Sequence, residues 1–115
     1  MTNIVDFSQS SRPFRGRMPC VLVVGPDVDE CVAFRSRLRA LGYDVLLATS
    51  ARQILSLLEY RPAVAVVADR RLPIVEIERL ERLIPDRHPG TRLVLADLAT
   101  ASASEALAVG TRMAA

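Results

Sequence analysis

Lysine and tryptophan are both missing from this 115-residue chain, histidine occurs once and cysteine twice. Without lysine, all 15 basic residues are arginine, whose planar fork suits bidentate contacts with carboxylate or phosphate. Five aromatic residues and no tryptophan leave out the stacking platforms of single-strand binders, so no nucleic-acid partner is expected. Cys20 and Cys31 have no third or fourth ligand at zinc spacing, and His88 sits alone in a proline-flanked stretch, which excludes a structural zinc site. Both cysteines fall in apolar patterns and read as reduced core residues, which points to a cytoplasmic protein. The chain has neither the apolar core of a secretory signal nor a run of membrane-spanning length, so it is expected to be soluble, with no membrane partner.

What is present is half apolar and 24% charged, with a formal net charge of +2, which suits one globular domain. Residues 1–18 are polar, carry Arg12, Arg15 and Arg17, and read as a flexible N-terminal arm; residues 19–115 read as the domain. Cys20 to Val24 is a buried strand ended by Gly25-Pro26. Asp27 with Glu30 forms a capping box before a helix over 28–41, stopped by Gly42. Val45 to Ala48 is a second strand, and Ser50 with Gln53 opens a helix that Pro62 ends. Ala63 to Ala68 is a third strand, followed by a helix closing at Pro85; Glu76, Glu78, Arg79, Glu81 and Arg82 give that helix a solvated mixed-charge face. Leu93 to Ala96 is a fourth strand, and Ser102 with Glu105 opens a last helix terminated by Gly110. Such alternation predicts an α/β parallel sheet covered on both faces, with its site at the carboxyl ends of the strands.

Three places then matter: Gly25 to Asp27, Asp69 to Pro73, and Ala96 to Ala99. The clearest motif is Val66-Val67-Ala68-Asp69-Arg70-Arg71-Leu72-Pro73, an apolar strand ending on an acid with Leu-Pro close behind. With Val21-Leu22-Val23-Val24, Leu41-Gly42-Tyr43-Asp44-Val45, and Glu105-Ala106-Leu107 before Gly110, it makes the chain from Cys20 to Gly110 resemble the receiver domain of two-component response regulators. The resemblance implies a flavodoxin-like, doubly wound (βα)4 sheet of order 2-1-3-4, truncated before the fifth strand. It aligns Asp69 with the family's phosphoacceptor, and it implies a histidine kinase or another signalling protein as partner.

The departures from the family cluster at the site. Where receivers carry an acidic pair that holds magnesium, this chain has Gly25-Pro26. Asp27 and Asp69 remain as candidate ligands of a weak magnesium site, although Asp27 reads more simply as a helix cap, and Mg²⁺ demands near-octahedral oxygen coordination. The family's hydroxyl residue falls at Ala96 or Asp97, and its lysine has no counterpart. Arg70 and Arg71 are candidate phosphate contacts, but neighbours on an extended segment point in opposite directions, so at most one faces Asp69. Asp69 reads equally as a relic acid paired with one of them or as a simple exposed loop acid.

The leading expectation is therefore a degenerate receiver with no enzyme activity and no tightly held cofactor, working in a phosphorelay through protein-protein interaction with impaired magnesium-dependent phosphorylation. Two alternatives stand beside it: a regulator phosphorylated on Asp69, and a doubly wound domain binding a small ligand or nucleotide. A homodimer is also expected through the fourth strand and fourth helix, on Leu93, Val94, Leu95, Ala106 and Val109, since the sequence supplies no fifth strand to cover them.

Overall fold

Four apolar segments of five residues, each too short for a stable helix and rich in branched side chains, form β1 (Cys20–Val24), β2 (Asp44–Ala48), β3 (Ala65–Asp69) and β4 (Arg92–Ala96). The computed structural model describes residues 18–114, with side chains to Ala108, so the expected arm lies outside the described residues except for exposed Met18. The strands pair in parallel in the order β2-β1-β3-β4, the expected order. In register, Val21 lies opposite Ala65 and Asp69 opposite Ala96, which brings the carboxyl ends of β3 and β4 level.

The helices α1 (Val28–Ala40) and α4 (Ala103–Ala114) cover one sheet face, and α2 (Ala51–Tyr60) and α3 (Ile74–Arg87) cover the other. Alternation along the strands divides the core accordingly. Val21, Val23, Val67 and Val94 pack with Phe34, Leu38, Leu98, Ala103 and Ala106, while Leu22, Val24, Val66 and Ala68 pack with Ile54, Leu58, Leu80 and Ile84. Central strands β1 and β3 are buried along their whole length, which is why they read as unbroken apolar runs. Both cysteines are free and buried, and burial pushes both thiols up in pKa.

Caps fix the helix starts. Asp27 accepts from the Glu30 amide at 3.1 Å, Ser50 from Gln53 at 3.2 Å, and Ser102 from Glu105 at 3.0 Å. Gly42 turns the chain out of α1 at φ 97°, a conformation that suits glycine.

Two expected stops are overrun. Pro85 lies inside α3 rather than at its end: one helical bond is lost there, but Ile84 is anchored in the core and accepts from the His88 amide at 2.8 Å, closing the last turn. Gly110 likewise lies within α4, because a single glycine costs a helix only about 1 kcal/mol. The third strand starts at Ala65 rather than Ala63, the Val64 amide being bound at 2.8 Å to the Cys20 carbonyl.

Candidate functional site

At the carboxyl end of β3 the chain must leave a fully buried strand, and it does so on Asp69, which has 0% exposure. The turn closes with the Leu72 amide on the Asp69 carbonyl at 3.1 Å, while the Arg70 amide binds the Ala96 carbonyl at 2.9 Å and pins the turn to β4. That geometry separates the two arginines. Arg70 goes to the outer side, lining a small groove beside Asp97 and Glu105. Arg71 folds back over Asp69.

Arg71 engages both carboxylate oxygens. Asp69 Oδ1 accepts from the Arg71 backbone amide at 2.8 Å and from Nε at 3.1 Å, and Oδ2 accepts from Nη2 at 2.8 Å. The two-point guanidinium contact is the strong, oriented form of this ion pair. Burial opposes the charge on Asp69, but the hydrogen bonds and charge of Arg71, with a backbone bond from Leu98, hold its carboxyl below the usual carboxylate range. Nη2 also contacts Glu30 Oε1 on α1, so one guanidinium ties β3 to α1 and has its own pKa pushed further up.

The end of β1 closes the site from the other side. A Cβ on Gly25 would come within 3.1 Å of Cys31 Sγ, 3.1 Å of Leu98 Cδ1 and 3.2 Å of Asp69 Cβ. A Cβ there requires its neighbours to give by a few tenths of an ångström, and Gly25 is a packing residue rather than part of a phosphate-cradling loop.

A magnesium ion, which the resemblance implies, does not fit these residues. Gly25 and Pro26 have no side-chain donor, Asp27 is turned to its cap, Asp69 has both oxygens bonded to Arg71, and Glu30 is drawn through Oε1 to the same guanidinium. Among the described residues no three His, Cys, Asp or Glu side chains gather as a metal cluster. Asp27 and Asp69, the expected ligand pair, have separate duties.

Two acids are placed differently from their sequence reading. Glu30 makes only the amide half of its capping box, because its carboxylate goes to Arg71. Glu76, read as part of a solvated face, accepts from the Ala51 amide at 2.8 Å and so caps α2 from the neighbouring helix. Sequence reasoning missed Glu30 at the site because its partner lies 41 residues away. Asp97 is exposed and accepts from the Ala99 amide at 3.1 Å, a local turn.

Of the residues expected at an interface, Leu93 and Leu95 are half-buried on edge strand β4. Val94 and Ala106, at 5% and 6% exposure, are packed in the chain's own core, because α4 lays its small residues on β4 and α1. The expected apolar face of α4 is thus partly covered within the chain: Ala103 is buried too, and Ala108 is exposed. The Val109 side chain lies outside the described residues.

No protein-family model and no curated protein matches the sequence. Solved structures do match. The chain superposes on the signal receiver domain of an HD domain-containing protein from Pseudomonas fluorescens with a TM-score of 0.66 and 22% identity, over 85% of this chain and 94% of that one. A CheY-like receiver domain protein from Methanospirillum hungatei gives a TM-score of 0.64 and 22% identity, over 85% and 76% of the two chains. A response regulator from Thermotoga maritima gives 0.63 and 18%, over 85% and 79%. The parallel order β2-β1-β3-β4, the acid that ends β3 and these superpositions lead to one conclusion: the chain has the fold of a response-regulator receiver domain.

Proposed function

We propose that this chain is a receiver-type signalling module of a two-component or phosphorelay system, cytoplasmic and without enzyme activity of its own, that works through protein-protein contacts while magnesium-dependent phosphorylation is impaired. The observation that carries this reading is the Asp69 carboxylate, buried and bonded through both oxygens to Arg71. Phosphoryl transfer to an aspartate needs a free carboxylate oxygen in line with the phosphorus, and positioned cations to neutralise the transferring oxygens. Here the nearest cation is already committed to the nucleophile, and the acidic pair that would hold the metal is replaced by Gly25-Pro26. No helix among the described residues is long and apolar enough to cross a membrane, which agrees with a soluble module. The outer edge of β4, which pairs with no strand among the described residues, supports self-association as part of the same reading.

The test is incubation with acetyl phosphate and Mg²⁺ followed by intact-mass measurement. The expected result is no gain of a phosphoryl group. A labile gain of one phosphoryl group, absent in Asp69→Ala, would overturn the proposal and make the chain a phosphoacceptor regulator.

A further inference from the structure

On the sheet face away from α1 and α4, helices α2 and α3 lie side by side and leave between them a groove of about 370 Å³. Helical periodicity assembles its walls. Arg52, Leu55, Ser56 and Glu59 recur at three- and four-residue spacing along α2, and Arg79, Leu83 and Arg87 at four-residue spacing along α3. Leu55 and Leu83 are half-buried and form an apolar floor, Leu55 packing against the core beneath. Val75, one turn before Arg79, continues the α3 stripe and is 57% exposed.

The charge on this groove is one-sided. Arg52, Arg79 and Arg87 are all exposed, and none is in an ion pair among the described residues, in contrast to Arg61 and Arg71. The carboxylate that lines the groove, Glu59, lies at its end, 3.4 Å from His88 Nε2. Three unpaired guanidinium groups therefore rim two leucines.

We propose that the α2–α3 groove is a docking surface for an acidic amphipathic helix of a partner protein. Its apolar residues would seat on Leu55, Leu83 and Val75, and its carboxylates on Arg52, Arg79 and Arg87. The stripe from Arg79 to Arg87 runs about 12 Å at the helical rise, long enough to take about two turns of a partner helix. The planar forks of arginine match carboxylates bidentately. A nucleic-acid strand fits this surface less well, because no aromatic side chain lines the groove and the leucines would be set against phosphates. No residue of the Asp69 turn lines the groove, so the surface is tested separately from the chemistry of that site.

The probe is a fluorescein-labelled peptide of about five helical turns, built from Leu, Glu and Ala with Leu at i, i+3, i+4 and i+7. It is titrated with the full chain and followed by anisotropy. The controls are the same residues rearranged to abolish the apolar stripe, a glutamate homopolymer of equal charge, and a short DNA duplex. The expected result is saturable binding of the striped peptide alone. Arg52→Ala with Arg79→Ala weakens it about tenfold, about 1.4 kcal/mol, and Val75→Ser weakens it without altering the unfolding midpoint. The proposal is overturned by absence of saturable binding at millimolar chain, by equal binding of the rearranged peptide or homopolymer, by unchanged affinity in the double arginine variant, or by tighter binding of the duplex.

Discussion

Adding one carbon at position 25 tests how tightly the end of β1 is closed. In Gly25→Ala the new Cβ meets Cys31 Sγ and Leu98 Cδ1 at 3.1 Å and Asp69 Cβ at 3.2 Å, short of the 3.5–4.0 Å optimum for such contacts. Yielding is difficult on all three sides. Cys31 and Leu98 are buried at 3% and 1% exposure, and the Asp69 side chain is fixed through both oxygens to Arg71. Overpacking of this kind costs about 1–3 kcal/mol, and the smaller entropy of an unfolded chain with alanine returns about 0.4–1 kcal/mol. The expected net loss is about 1.5 kcal/mol, a fall in melting temperature on the order of 5 °C. Urea unfolding followed by circular dichroism measures it, together with a double-mutant cycle against Leu98→Ala. Removing the Leu98 methyls relieves the clash, so the two substitutions should be less than additive by about 1 kcal/mol. The reasoning is refuted if Gly25→Ala is as stable as the parent, or if the cycle is additive within about 0.5 kcal/mol. Gly25→Asp, which reinstates an acid like those of the resembled family, should cost more than alanine, since it adds a buried like charge beside Asp69.

Arg71 holds the Asp69 carboxyl below its usual range, so the folded state binds that proton more weakly than the unfolded chain does. The resulting stability is present above about pH 4 and lost as pH falls through the folded value, and Asp69→Asn should flatten this acid limb in urea midpoints taken between about pH 2 and 5. The thiols behave oppositely: burial favours their protonated forms, so their contribution is present below about pH 8.5 and lost as pH rises through the raised folded values. Native Cys20 and Cys31 should accordingly react with an aromatic disulfide only at the unfolding rate, and fast labelling of either would contradict the burial. Asp27→Ala should cost about 1 kcal/mol through the lost cap and leave the response of the unfolding midpoint to Mg²⁺ unchanged. A changed response would restore Asp27 as a metal ligand.

The strands, the helix caps and the position of Asp69 were readable because each has a local cause: apolar runs, Ser or Asp three residues ahead of an amide, and Leu-Pro behind an acid; the sheet order has no such local cause and followed from the resemblance to receiver domains. The site itself was less legible. Arg70 and Arg71 are equivalent as letters, and it is the turn bonding Arg70 to Ala96 that sends only Arg71 back over the carboxylate. Glu30 and Glu76 look like first-turn acids of their own helices, yet each carboxylate bonds a different element, 41 and 25 residues away. Pro85 and Gly110 were read as stops from their intrinsic propensities. Packing of Ile84 overrides the first, and the second is too small a cost to end α4.

The closure around Gly25 also bears on the order in which sequence changes can accumulate. While Leu98, Cys31 and the Asp69–Arg71 pair fill the space beside it, no single substitution at position 25 introduces a carboxylate without a clash. A smaller side chain at 98 or 31 would have to come first, and that first step opens a cavity in the core and is itself destabilising. Any route to an acidic end of β1 therefore passes through a weaker protein, so the order of the substitutions is constrained by the packing around position 25.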